Sequence, residues 1–165
     1  MSQPPFQVAS LDAEHDRTTF NCDSQALNRY LKVQVTQDIR RRVAACFVAL
    51  ADGQRIVGYY TLASASVMLN ELPASVGKKL PRYPSIPAIR MGRLAVDQAY
   101  KGQGLGGALL ADALDRAVRS EIAAYALIMD AKDQSIAAFY LHHGFMALPD
   151  SALTLFLPLA TVHPA

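Results

Sequence analysis

Four glycines lie within six residues, between an apolar run that ends Leu94-Ala95-Val96-Asp97 and an apolar stripe at helical spacing. The segment reads Lys101-Gly102-Gln103-Gly104-Leu105-Gly106-Gly107. Glycine lets backbone N–H groups approach a ligand without Cβ obstruction, and the N-terminus of a helix favours an anion. Lys101 adds a mobile positive charge. The segment therefore predicts a phosphate-binding loop at a strand-to-helix junction.

The residues of this loop leave the phosphate ligand open. Gly102, Gly104 and Gly107 match the dinucleotide fingerprint G-x-G-x-x-G, and Asp130 lies near the end of the next predicted strand, where a ribose-binding acid would lie. Two features make a dinucleotide-binding site less favoured. The loop comes late in the chain, and only one strand–helix–strand unit is present. A P-loop is excluded because no Gly-Lys-Ser/Thr follows. A glycine-rich turn chosen only for tight packing is the remaining alternative.

The surrounding pattern predicts one α/β (α+β) domain over residues 1–165, with a central mixed, mostly antiparallel sheet flanked by helices. Asp23 or Ser24 can cap a first helix, which runs toward Arg40, and Asp52-Gly53 predicts a hairpin between two strands. Strands are expected at 6–9, 44–50, 56–69, 88–96, 126–131 and 152–159. Prolines break residues 72–87, which are expected to be mostly loop. Helices are expected after the glycine loop and at 134–141, the latter ended by Gly144.

Composition excludes several classes of protein. Hydrophobic residues make up 52% of the 165 residues and charged residues 18%, which is typical of a folded core. No run approaches the roughly 20 apolar residues of a membrane span. Residues 1–5 lack the features of a signal peptide, so we expect a cytoplasmic protein. Cys22 and Cys46 have no metal-ligand spacing, and neither a metal site nor a disulfide is expected.

The net charge is only +2, but the basic residues are clustered. Arg40-Arg41-Arg42 forms one group. A second group contains no acid between its members, which are Lys78, Lys79, Arg82, Arg90 and Arg93. Such a group is typical of a surface that binds a polyanionic partner. The alternative interpretation is a basic face that is only solvated.

Two motifs together resemble the GNAT superfamily of N-acetyltransferases. The family's cofactor motif is Arg/Gln-x-x-Gly-x-Gly/Ala, and Lys101, Gly104 and Gly106 occupy it, with lysine in the first place. Its second signature resembles Ala-x-x-Phe-Tyr-x-x-x-Gly-Phe. Four residues meet that signature, Phe139, Tyr140, Gly144 and Phe145, while Ile136 replaces the alanine.

The resemblance implies a set of site residues and a cofactor, acetyl-CoA. Backbone groups of Leu94, Ala95 and Val96 would contact the pantetheine arm. Amides of Gly102–Gly107 would hold the pyrophosphate, with Lys101 beside it. Tyr140 would donate a proton to the departing thiolate, since a phenol of ordinary pKa about 10 is a suitable acid. The alternative for Tyr140 is a tyrosine of the core.

A narrower resemblance runs from about Phe20 to Leu159. The segments 58–62, 79–87 and 92–97 look like those of the TacT-like toxins of type II toxin–antitoxin modules. That resemblance implies acetylation of the α-amino group of aminoacyl-tRNA, which blocks translation. It also implies an antitoxin with a ribbon–helix–helix DNA-binding domain, and a homodimer. The second basic group would then be the tRNA-binding surface.

Three other functions stay open from the residues alone. One is a GNAT enzyme that acetylates a small amine or a protein N-terminus. A second is a non-catalytic protein that binds CoA or a partner, and the last is a nicotinamide-binding protein.

Overall fold

The computed structural model describes residues 6–162, so the predicted absence of a signal peptide at Met1–Pro5 lies outside the described residues. The strands are β1 (Gln7–Ser10), β2 (Ala45–Ala51), β3 (Arg55–Met68), β4 (Ser85–Val96), β5 (Ala126–Asp130), β6 (Met146–Leu148) and β7 (Ser151–Pro158). The helices are α1 (Gln25–Arg29), α2 (Val35–Arg40), α3 (Ala74–Gly77), α4 (Leu105–Arg119) and α5 (Gln134–His142). None of these helices has the length and apolar character that crossing a bilayer requires.

The strands form one sheet in the order β1-β2-β3-β4-β5-β7-β6. The pairs β1–β2, β2–β3, β5–β7 and β6–β7 are antiparallel. β4 and β5 are parallel, as expected for strands joined through a crossover helix, here α4. The predicted fold class, a mixed and mostly antiparallel sheet flanked by helices, is confirmed.

The predicted hairpin between β2 and β3 is confirmed. Asp52 and Gly53 both have positive φ, 57° and 78°, which is the conformation that Asp-Gly favours in a tight hairpin. β2 and β3 then pair from Ala51 and Arg55 outward, with an irregularity at Ala49/Leu50.

The first predicted helix is interrupted. Ser24 caps α1 as expected, since its side chain accepts a hydrogen bond from the Leu27 amide. Between α1 and α2, however, residues Tyr30–Gln34 form a π-helical turn. A periodic apolar pattern does not distinguish this turn from an α-helix, because both place neighbouring side chains on one face. π turns occur frequently at functional sites.

The chain divides into two compact units. The first comprises Met1–Ala63 and Gly92–Ala113. Its core contains buried side chains of the N-terminal helices and of β2 and β3, among them Phe20, Leu31, Val35, Val48, Ile56 and Tyr59. Cys46 is part of this core, and burial raises the pKa of its thiol to about 12. Cys22 and Cys46 are both buried free thiols in this structure.

The second unit comprises Ser64–Met91 and Leu114–Ala165. Its core contains Val67, Leu72, Ile86, Ala88, Ala126, Ile128, Leu148 and Phe156. The segment expected to be mostly loop contains the single turn α3, which begins after Pro73, a position where proline costs no hydrogen bond. β4 begins earlier than predicted, and the Pro87 carbonyl there accepts from the Tyr125 amide at 2.8 Å. The short strand β6 was not predicted, because three residues give too short a pattern.

Candidate active site

The glycine-rich segment contains two left-handed backbone positions. Gly102 has φ +77° and Gly104 has φ +80°. A Cβ added at either glycine would meet no atom within 4 Å. Packing is therefore not the reason for these two glycines. The backbone conformation itself requires them, because an L side chain there costs roughly 1–2 kcal/mol.

This conformation leaves a row of backbone N–H groups without internal acceptors. The first hydrogen bond of α4 runs from the Ala108 amide to the Gly104 carbonyl, at 3.0 Å. Among residues 6–162, none of the amides of Gly102–Gly107 donates to another backbone group. α4 begins at Leu105, so Gly106 and Gly107 lie in its first turn rather than in the loop. Free amides and the positive end of the helix dipole thus converge, as anion binding requires.

A close approach between β3 and α4 fixes the start of the helix. A Cβ added at Gly58 would lie 2.9 Å from Leu109 Cδ1 and 3.2 Å from the Ala95 carbonyl oxygen. Glycine at this position therefore lets the helix pack directly on the strand. Leu105 and Leu109 are fully or almost fully buried there, so the loop rests on a packed base. Of the three predicted pantetheine-binding residues, Ala95 is buried, and Leu94 and Val96 are half-buried.

Polar side chains hold the segment between β4 and the loop. Asp97 accepts hydrogen bonds from the Ala99 amide at 2.9 Å and from the Asn21 amide at 3.0 Å. Asp23 accepts from Gln98 Nε2 and also forms an ion pair with Lys101. The predicted pyrophosphate-binding residue, Lys101, is exposed. In this structure its ammonium group is already paired with the Asp23 carboxylate. An incoming pyrophosphate would compete with Asp23 for it.

Tyr140 lies on α5 and is 3% exposed. Its ring packs edge-on against the rings of Phe139 and Phe145, with centroids at 5.0 and 5.4 Å. Burial raises the pKa of the Tyr140 phenol above its usual range, so it stays protonated at neutral pH. Asp133 caps the helix, and Gly144, with φ +95°, ends it as predicted.

The predicted basic group is not uniform. Lys78, Lys79 and Arg82 are exposed, and Lys78 and Arg82 line the same cavity. Arg90 instead forms an ion pair with Asp130 of the neighbouring strand, and Asp130 also accepts from Thr154 at 2.8 Å. The acid that the dinucleotide alternative would use for a ribose is therefore engaged by two partners.

Arg93 belongs to a different constellation, which the sequence did not predict. Its guanidinium carbon lies 3.5 Å from the centroid of the Tyr30 ring. The Tyr30 hydroxyl donates to Asp38 at 2.7 Å, and Gln34 donates to the other oxygen of that carboxylate at 3.0 Å. The hydrogen bond from Tyr30 lowers the pKa of Asp38, whereas burial raises the pKa of Tyr30 to about 12.

This constellation places the Arg93 guanidinium over the Tyr30 ring at the π turn. Within residues 6–162, no ion pair or hydrogen bond to Arg93 is found, so its N–H groups are available to a ligand. Sequence spacing gave no signal for it, since Tyr30 and Asp38 were only positions along a helix. Among the described residues no group of three or more His, Cys, Asp or Glu side chains is arranged to hold a metal ion.

The comparisons with known proteins identify the family. The acetyltransferase (GNAT) domain family matches residues 42–147. A tRNA-acetylating toxin of Mycobacterium tuberculosis is 36% identical over 155 residues, covering 93% of this chain and 90% of that protein. A probable toxin TacT of Sinorhizobium fredii is 30% identical over 158 residues, covering 90% and 87%. The chain therefore belongs to the GNAT acetyltransferase family.

Several solved structures are similar to this protein in fold and in sequence. AtaT complexed with acetyl-methionyl-tRNA has a TM-score of 0.88 at 29% identity, covering 94% of this chain and 96% of AtaT. A tyrosine-to-phenylalanine mutant of KacT has a TM-score of 0.88 at 28% identity, covering 96% and 97%. AtaTR bound with acetyl-CoA has a TM-score of 0.81 at 27% identity, covering 95% of each chain. This protein is thus similar over 94–96% of its length to these solved structures.

Proposed function

We propose that this protein is an acetyl-CoA-dependent toxin that acetylates the α-amino group of aminoacyl-tRNA and so blocks translation. The observation that carries the proposal is the 36% identity to a tRNA-acetylating toxin over 93% of the chain. The row of free amides at Gly102–Gly107 supports it independently, because the pyrophosphate of CoA needs such donors.

The cofactor site in this proposal follows β4 and the loop. Backbone groups of Leu94, Ala95 and Val96 contact the pantetheine arm. Amides of Gly102–Gly107, which include Gln103 and Leu105, hold the pyrophosphate, and Lys101 leaves Asp23 to pair with it. The complex of AtaTR with acetyl-CoA supports the identity of the cofactor.

Tyr140 is the acid of the proposed reaction. The neutral amine of the acceptor attacks the thioester carbon, a C–N bond forms, and the C–S bond then breaks. The phenol donates its proton to the departing thiolate, and the acetylated nitrogen loses a proton to water. The phenol of Tyr140 is protonated at neutral pH, which is the state that a proton donor requires. AtaT has also been solved as a tyrosine-to-phenylalanine mutant.

No strong general base is needed for this acceptor. An α-amino group titrates near 7.7–8.0 in peptides, and an adjacent ester lowers its pKa further. A sizeable fraction of the acceptor is therefore already neutral at physiological pH. The proposal accordingly assigns no base among the side chains of this chain.

The residues that bind the tRNA in this proposal are basic. Lys78, Lys79 and Arg82 contact tRNA phosphates, which gives affinity that falls with salt. Arg93 donates hydrogen bonds to the acceptor end of the tRNA. Arg90 contributes positive charge from its ion pair with Asp130, so its share is smaller.

A double variant tests whether these basic residues bind tRNA. Lys79→Glu with Arg82→Glu should weaken acetylation of tRNA and leave the Kd for acetyl-CoA unchanged. The matched Lys79→Gln with Arg82→Gln variant should fall between the wild type and the glutamate pair. If activity and its salt dependence persist in the glutamate pair, these residues do not bind tRNA.

The partner in this proposal is an antitoxin with a ribbon–helix–helix DNA-binding domain. AtaT bound to the C-terminus of the antitoxin AtaR, and the KacTA–DNA complex, support a partner of that kind. We also propose that the toxin is a cytoplasmic homodimer, which light scattering of the purified protein would test. A monomer at working concentrations would contradict the dimer.

The direct test of the function offers the purified protein three classes of acceptor. Labelled acetyl-CoA is supplied with charged tRNA, with free small amines, or with peptides that carry free N-termini. The proposal expects rapid label transfer to charged tRNA alone. Transfer to small amines or peptides in preference to tRNA would establish the alternative GNAT reaction instead.

A further inference from the structure

A cavity of about 520 Å³ opens in the second unit, between the 3-10 turn Leu69–Glu71, α3 and the proline-rich segment before β4. Its volume is in the range of sites for small organic groups, about 300–1,000 Å³. Every residue that lines it belongs to the unit Ser64–Met91 with Leu114–Ala165. The cavity is therefore defined without reference to the loop or to Tyr140.

The lining of this cavity combines three kinds of side chain. Lys78 and Arg82 supply two positive charges, and in the described part of the chain neither is found in an ion pair. Asn70 supplies an amide that can both donate and accept. Leu69 and the buried Leu72 supply an apolar wall. No carboxylate is among the lining residues.

Tyr83 is the most informative member of the lining. It is 65% exposed, although aromatic side chains usually bury most of their surface. Pro81 and Pro84 restrict the backbone on both sides of it, and the Pro84 carbonyl accepts from the Leu69 amide at 3.0 Å. The ring is thus presented on a restrained segment, which lowers the entropy cost of stacking on it.

An aromatic ring beside two cations and an amide matches the chemistry of an unpaired nucleotide. Sequence-tolerant binding of single strands uses aromatic platforms for the bases and positive charge for the backbone. An acidic peptide would satisfy Lys78 and Arg82, but it would leave the exposed ring of Tyr83 and the amide of Asn70 without a role. The lining therefore favours a nucleotide over a peptide.

We propose that this cavity binds one unpaired nucleotide at the acceptor end of the RNA substrate. The base stacks on Tyr83, Lys78 and Arg82 pair with its flanking phosphates, and Asn70 contacts the edge of the base. This inference rests on the proposed function, because it assumes an RNA acceptor. It adds a site that discriminates a single-stranded end from a duplex, which phosphate contacts alone do not provide.

The test compares Tyr83→Ala with Tyr83→Phe in steady-state acetylation of aminoacyl-tRNA. Loss of base stacking costs about 1–3 kcal/mol. This corresponds to a rise of roughly 5- to 150-fold in KM, since 1.4 kcal/mol is a factor of ten. Tyr83→Phe keeps the ring and should restore KM to within about twofold of the wild type, while kcat changes little in both variants.

Salt dependence separates stacking from charge. Tyr83→Ala should leave the slope of log KM against log salt unchanged, because no phosphate contact is lost. Arg82→Gln should reduce that slope by about one. Ile122→Ala, at a side chain 82% exposed in the same unit but outside the cavity, is the matched surface control and should change neither quantity.

A binding measurement that needs no catalysis completes the test. Wild-type protein should bind uncharged tRNA more tightly than the same tRNA without its unpaired terminal nucleotides, and Tyr83→Ala should abolish the difference. Equal binding of both RNAs by the wild type would overturn this inference even if charged tRNA is acetylated. If Tyr83→Ala weakens the binding of an acidic peptide but not the binding of RNA, the cavity is a peptide site and this inference is overturned. Failure of the wild type to acetylate any charged tRNA would instead refute the proposed function.

Discussion

The left-handed conformation of Gly104 gives the sharpest prediction about the cofactor loop. Gly104→Ala adds a single methyl group, and a Cβ at this position would meet no atom within 4 Å. The substitution therefore creates no clash and removes no contact. Its only effect is to make φ +80° unfavourable, by about 1–2 kcal/mol for an L residue. In the free variant the exposed loop can relax out of this conformation.

Acetyl-CoA binding must then restore the strained conformation. The binding free energy should fall by up to about 1–2 kcal/mol, which raises the Kd for acetyl-CoA by roughly 5- to 30-fold. Gly53→Ala is a closely matched control, because Gly53 has φ +78° and also no atom within 4 Å of an added Cβ. Gly53 lies in the hairpin between β2 and β3, so Gly53→Ala should cost comparable stability and leave the Kd unchanged.

Isothermal titration of acetyl-CoA and urea unfolding would measure the two effects separately for each variant. We expect a raised Kd only for Gly104→Ala and a lowered free energy of unfolding for Gly53→Ala. Equal Kd values for the two variants and the wild type would refute the reasoning, because the left-handed loop would then have no part in binding the cofactor.

Three further predictions concern the proposed acid Tyr140, the pH dependence of the reaction and Arg93. Tyr140→Phe should lower kcat at least tenfold while the Kd for acetyl-CoA stays within about twofold, since general acid catalysis contributes roughly 10²–10⁴-fold; unchanged kcat would exclude the acid role. Because burial raises the pKa of Tyr140, its phenol loses its proton only above its usual value of about 10. The kcat/KM for tRNA should therefore rise as the acceptor amine deprotonates and show no fall from Tyr140 below about pH 10; a fall near pH 8 would contradict this assignment. Arg93→Lys keeps the charge but loses the planar fork of donors that a guanidinium offers to RNA, so KM for aminoacyl-tRNA should rise, by about fivefold for each hydrogen bond of about 1 kcal/mol that is lost. A changed stability with an unchanged KM would instead make Arg93 purely structural.

The parts of the site that depend on local sequence were predictable. The loop at Lys101–Gly107 follows from glycines between a strand and a helix, and the structure places both elements there. Gly144 and the Asp52-Gly53 hairpin were predicted for the same reason, since positive φ favours these residue types. Even here the boundary was imprecise, because α4 begins at Leu105 and takes in Gly106 and Gly107.

Contacts between distant parts of the chain were not predictable. The ion pair of Lys101 joins residues separated by 78 positions, and that of Arg90 joins residues separated by 40. The stacking of Arg93 on Tyr30 depends on how β4 packs beside the N-terminal helices. A single sequence gives the charge of each side chain but does not show which side chain lies next to it in the folded protein. The sequence therefore does not show that Arg90 forms an ion pair with Asp130.

The central claim is that the acceptor is the amino acid carried by tRNA. The most direct measurement incubates the purified protein with acetyl-CoA and a mixed pool of charged tRNAs, digests the RNA, and determines the mass of the released aminoacyl-adenosines. The account predicts that at least one of them gains the mass of one acetyl group on its α-nitrogen, and that omission of acetyl-CoA abolishes the gain. A pool that stays unmodified, while the same protein acetylates a free amine or a peptide, would contradict it.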